Sequence, residues 1–258
     1  MPPTTSHSEL LAFKLELTSD PYARATRRLW NHPRLTELFP RYLLRLYGLV
    51  RTGVPMMQEA VDRARELPAN DRVAAALIDY FEHHIPEEVD HDEWLLDDIV
   101  SLGYDEAEVR GMIPSPLIAS VAGSQYYWIR HVHPVALMGY IFLLEGNPPT
   151  AEHVERIKAR TELPETAFRC LMHHAIADVG HKEELFEAFD AMPLTEQQAG
   201  LVGLSATWCQ HLLAQSLDEM IDLFEADHPA PKRAGARARA SRTRPRSGAR
   251  TRGRRASS

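Results

Sequence analysis

Apolar side chains recur along most of this chain with the ~3.6-residue period of a helix, in runs of about 20 to 30 residues. Strict strand-like alternation is absent, so the pattern predicts an all-α fold. A first core helix is expected from Pro33 to Leu67, turning at Pro68 and Asn70 into a second that runs from Asp71 to Ser101. Pro86 lies inside the second run and should kink it. A third apolar run extends from Ser115 to Gly146, is kinked or split at Pro134 after His133, and is stopped by Gly146, Asn147, Pro148 and Pro149. A fourth spans Thr166 to Ala188, and a last helix starts at a capping box, Thr195 with Gln198, and continues to about Ala226.

Ionisable residues interrupt the apolar faces of three of these helices. In the fourth run His174, Asp178 and His181 form H-x-x-x-D-x-x-H, and spacings of four and three put them on one face among Ala167, Cys170, Leu171 and Leu185. A buried imidazole–carboxylate chain and a metal site both satisfy such a triplet. In the second run Glu88 and His91 form E-x-x-H, with His84 one turn earlier on nearly the same stripe. Glu87, Asp90, Asp92 and Glu93 read as its solvated side. In the third run Glu145 ends the stripe Val135, Met138, Phe142, where an unpaired carboxylate would cost several kcal/mol. Taken together, Glu88, His91, Glu145, His174, Asp178 and His181 offer three imidazoles and three carboxylates. That mixed N/O set suits Fe(II) or Mn(II), whereas structural zinc more often takes cysteines. Two small clusters fit two ions better than one ion with six protein ligands.

The order E-x-x-H, then Leu144-Glu145-Gly146, then H-x-x-x-D-x-x-H, with flanks HHIPEEVDHDEWLLDDIVSLG and HHAIADVGHKEELFEAFDAMPLT, resembles the haem-oxygenase-like iron-dependent oxidases and oxygenases, the iron-containing redox enzymes. The resemblance covers roughly residues 31 to 224. It implies a haem-oxygenase-like bundle of about seven core helices that binds Fe(II), as two ions, and uses O2 as co-substrate without haem. The first iron would take Glu88, His91 and His174, and the second Glu145, Asp178 and His181. Many members add a glutamate from the first core helix. Folding the hairpin at about residue 69 places Glu88 opposite Val50 or Arg51, which leaves Glu59 ~13 Å from the metal level. Glu59 is therefore a weak candidate for a further ligand, and His84 could compensate. Tyr126, Tyr127 and Arg130 on the third run are candidates for a substrate pocket.

The implied activity is oxidation of a small organic substrate of amino-acid or fatty-acid type, by N-oxygenation, oxidative C–C cleavage or desaturation, as in specialised metabolism. Electrons would come from the substrate or an external donor, and homodimerisation is left open. Two other classes are weighed against it. One is a cofactor-independent enzyme of the same fold, resembling pyrroloquinoline-quinone synthase or thiaminase-type proteins, with the histidines as acid–base groups. The other is an interaction protein working through its C-terminus. A ferritin-like bundle would need a second E-x-x-H where this chain has H-x-x-x-D-x-x-H.

Charge separates the chain into two parts. It carries 29 basic and 36 acidic residues, and eleven of the basic ones follow Asp227, so the body holds 18 against 36. The expected domains are a flexible segment 1–20, a catalytic body 21–227 and a disordered Arg/Ala-rich tail 228–258. The tail lacks aromatic residues for stacking bases, so nucleic acid is expected to touch it only nonspecifically. No phosphate-loop or dinucleotide fingerprint calls for a nucleotide or flavin. Two cysteines, no secretory-type start and no apolar run of ~18 residues suggest a cytoplasmic protein off the membrane. Deleting residues 229–258 is expected to leave iron binding at the full-length value; loss of iron in a metal titration of the truncated chain would give the tail a role in the site.

Overall fold

The structure, a computed structural model, describes residues 5–229 except Asn147, and the side chains of residues 177–179 lie outside the described set. The basic tail from residue 230 onward is also outside it. Helices follow one another as α1 (His7–Leu17), α2 (Asp20–Trp30), α3 (Leu35–Val50), α4 (Gly53–Arg65), α5 (Arg72–Glu88) and α6 (His91–Val100). They continue as α7 (Glu106–Arg110), α8 (Pro116–His131), α9 (Leu137–Glu145), α10 (Ala151–Thr161), α11 (Arg169–Ala191) and α12 (Glu196–Asp227). Single 3₁₀ turns, Pro134–Ala136 and Glu165–Phe168, lead into α9 and α11. No strand occurs among the described residues, and none of their helices is long and apolar enough to cross a membrane.

Three expectations change. The first core helix is two helices, because the chain leaves α3 at Arg51 and restarts at Gly53 with Pro55 in the opening turn, where proline's missing N–H is harmless. The second breaks after Glu88, two residues beyond Pro86, where Asp90 takes a left-handed conformation with φ 70°. Aspartate is among the few non-glycine residues that tolerate this region. The N-terminal segment, expected to be flexible, forms α1: a Ser6–Glu9 capping box opens it, and the Ser8 amide and hydroxyl each donate to Asp190 at 2.7 Å. The split of the third run by Pro134 and the capping box of α12 are found as read.

The long helix α12 is the spine, packing against α1, α2, α3, α8 and α9. Its buried positions feed two separate apolar clusters. One joins α4, α5, α8, α9, the second half of α11 and the first half of α12, through Met56, Phe81, Ile141, Leu185 and Cys209. The other joins α3, α6, α10, the start of α11 and the end of α12, through Phe39, Leu95, Cys170 and Phe224. The break between α5 and α6 carries the chain from the first cluster to the second, and the middle of α11 makes the same crossing.

Where α9 crosses α12 the helices touch backbone to backbone at Gly139. A Cβ there would overlap the Val202 carbonyl oxygen and lie 2.8 Å from the Ala206 nitrogen. Since those atoms belong to the spine, Gly139→Ala should destabilise the protein by about 1–3 kcal/mol. Calorimetry is expected to show Tm lowered by several degrees; an unchanged Tm would mean that α9 can shift freely.

Candidate metal centre

The break at Val89 and Asp90 lets the last residue of α5 and the first of α6 meet. Glu88 and His91 do not share a helix face, as E-x-x-H within one helix would require; they face each other across the turn. The His91 Nδ1–H donates to Glu88 Oε2 at 2.9 Å. His91 is almost fully buried, and its Nε2 has no hydrogen-bond partner among the described residues. A buried polar atom left in that state is costly, and a neutral imidazole nitrogen so placed presents a lone pair.

His174 approaches from α11, with its ring 4.6 Å from that of His91, centre to centre. Its Nδ1–H donates to the Cys170 carbonyl one turn back at 2.8 Å, which fixes the tautomer and leaves Nε2 as a lone pair. Burial lowers His174, against the opposing effect of that carbonyl, and so favours the neutral ring a cation requires. For Glu88 burial acts to raise the pKa, but the hydrogen bond from His91 and the charges of His91, His84 and His174 hold it below the ordinary carboxylate value. His174 therefore has one nitrogen engaged by a carbonyl oxygen and the other available, the arrangement found at metal-ligating histidines, whereas the His91 nitrogen facing Glu88 is the one bonded to it. Ligand atoms of Glu88, His91 and His174 all lie within 4.8 Å of one another.

A second group, His84, Glu88 and Glu145, meets the same distance limit and shares Glu88 with the first. The His84 Nε2 lies 3.1 Å from Glu145 Oε1, and the ring stacks on Tyr80 at 5.3 Å. Burial pulls His84 down, but the hydrogen bond and charge of Glu145, with the charges of Glu88 and Glu87, outweigh it and push the imidazole up to about 9. His181 contacts this group from α11: its ring lies 5.7 Å from His84 and its Nε2 3.5 Å from Glu87 Oε2. The Asp178 side chain lies outside the described residues. Glu87 is exposed, in keeping with its reading as part of the solvated side, and its Oε2 also lies 3.6 Å from His84 Nδ1, a proximity that only the spatial arrangement reveals.

Other candidates fall elsewhere. Glu59 is paired with Arg130 of α8 and belongs to neither donor group. Arg130 is thereby engaged at the surface, Tyr127 is exposed against His131, and Tyr126 packs on the first apolar cluster. None of the three lines the main cavity. That cavity encloses about 860 Å³ between α1, α2, α3, α9, α11 and α12, and Glu88, Glu145 and His174 form part of its wall. The rest is mostly apolar, with Leu15, Tyr22, Leu46, Tyr140 and Phe186. Lys182 brings a cation to it, and Arg45 in the same wall already donates to Ser115, Ser216 and Glu219.

An all-helical body that carries two carboxylate–imidazole groups on converging helices, open to one cavity, has the architecture of the haem-oxygenase-like fold. The chain belongs to the iron-containing redox enzyme family, whose model matches residues 40–213. A domain of unknown function with a haem oxygenase-like fold from Shewanella denitrificans superposes with a TM-score of 0.66 at 17% identity, covering 88% of this chain and 93% of that one. A TenA homolog from Pseudomonas syringae pv. tomato gives 0.59 at 12% identity, covering 81% and 93%. Comparison with curated proteins gives no match.

The metal-side end of α11 is held from below by Asp98, fully buried on α6. It accepts from the Cys170 amide at 2.8 Å and from Arg169 at 3.2 Å. Asp98→Ala orphans that amide at the root of the His174 turn and should cost about 1–3 kcal/mol in chemical denaturation. Unchanged stability would show that the helix start is held by packing alone.

Proposed function

We propose that this protein is a nonhaem iron oxidoreductase that holds two Fe(II) ions and uses O2 to oxidise a small organic substrate. The observation that carries this reading is the pair of donor groups joined at Glu88, with the lone pair of buried His91 Nε2 otherwise unused. Glu88, His91 and His174 would hold one ion; Glu145 would hold the other, with Asp178 and His181 from the resemblance. N and O donors without thiolate suit iron, and iron supplies O2 activation when bound. The substrate would sit in the 860 Å³ cavity with its aliphatic part on Tyr22, Leu46 and Phe186. Lys182 would face a substrate carboxylate, in keeping with an amino-acid or fatty-acid type of substrate. Around the reacting carbon the apolar wall excludes water, which protects reactive species from side reactions.

Anaerobic Fe(II) titration of the apo-protein tests this directly. The expected result is ~2 iron ions per chain, with an optical change on adding O2 and loss of iron in His174→Ala. Iron bound at well below one per chain, unaffected by His174→Ala, would overturn the reading. It would then favour the metal-independent alternative in which the histidines serve as acid–base groups.

A further inference from the structure

We infer that His84 is a ligand of the second ion. This rests on the two-ion reading above. His84 belongs to neither of the motifs that mark the site in the sequence; it stands on α5 one turn before Glu88, only 3% exposed. Its Nε2 lies 3.1 Å from Glu145 Oε1, and one ligand atom each from His84, Glu88 and Glu145 lie within 4.8 Å of one another. Donors bound to one ion at about 2.0–2.2 Å stand roughly 3 to 4.4 Å apart, so these three need little movement to meet around it.

The surroundings of His84 hold its ring for this task. Tyr80 stacks against one face with 17° between the planes, and on the far edge Nδ1 lies 3.6 Å from Glu87 Oε2. The same Glu87 oxygen lies 3.5 Å from His181 Nε2, so one carboxylate stands close to two imidazoles. This explains how the chain manages without a carboxylate from α4. The only glutamate on that helix, Glu59, is engaged by Arg130, and α5 supplies an imidazole from the neighbouring helix instead.

The rival explanation is that His84 merely gives Glu145 a hydrogen bond. Two variants separate them. His84→Gln keeps an amide donor for Glu145 and so protects folding, whereas His84→Phe keeps the stack on Tyr80 without nitrogen; circular dichroism melting checks that each is folded. Apo-protein is titrated anaerobically with Fe(II) and, separately, with Co(II), by counting bound metal after dialysis and following the Co(II) absorption bands. Wild type should bind ~2 ions per chain, both His84 variants should lose the weaker one or bind it at least tenfold less tightly, and Glu87→Gln should weaken it about 10- to 100-fold. Two ions with unchanged affinity in a folded His84→Gln or His84→Phe protein would overturn the assignment while leaving the two-ion reading intact. Fewer than two ions in wild type would overturn both.

Discussion

Two carboxylates, Glu88 and Glu145, are kept out of water in the middle of a helical body, and most of the local structure follows from compensating their charge. An ionised carboxylate in an apolar interior is several kcal/mol too costly unless opposed by cations or donors. Here the opposition is imidazole: His91 donates to Glu88 and His84 to Glu145. Neither imidazole is spent on the carboxylate alone, because each ring has a second nitrogen. For His91 that second nitrogen has no hydrogen-bond partner among the described residues.

The position of these groups is dictated by the two apolar clusters. A single continuous core would have left no polar seam; two cores that share α11 and α12 create one where the chain crosses from one to the other. The crossing between α5 and α6 is sharp because Asp90 accepts a left-handed backbone, and it turns the last residue of one helix toward the first of the next. On α11 the crossing needs no break, since the helix is long enough to contribute His174 near one cluster and Leu185 to the other. Asp98 and Cys170 secure its start, so the register of His174 depends on a buried carboxylate some distance from any proposed ion.

Helical class, the Pro134 split and the α12 cap were legible in the sequence, because each rests on spacing within one helix or on a proline, glycine or capping residue. What was illegible depends on tertiary placement. The E-x-x-H pair reads as one helical face, yet its contact is made by a left-handed residue that periodicity does not register. Glu59 lost its candidacy to Arg130, a partner 71 positions away. Arg130 and Tyr127 were drawn to the cavity by their place on an apolar helix, but α8 turns them outward. The N-terminal helix was hidden for a different reason: its apolar residues face partly outward, with Phe13 and Leu17 exposed, so its pattern carries little amphipathic signal until Ser8 meets Asp190.

Chemistry at such a seam depends on its asymmetry. The His91–His174 side has its imidazoles engaged at Nδ1 by Glu88 and the Cys170 carbonyl, which presents neutral nitrogen to whatever binds. Around His84 the balance is reversed: three glutamates, Glu87, Glu88 and Glu145, surround one ring and favour positive charge there. The cavity meets both sides at Glu88, His174 and Glu145. The part of the cavity wall that α1 and α2 contribute lies outside the matched span 40–213, whereas Glu88, His91, Glu145 and His174 lie within it.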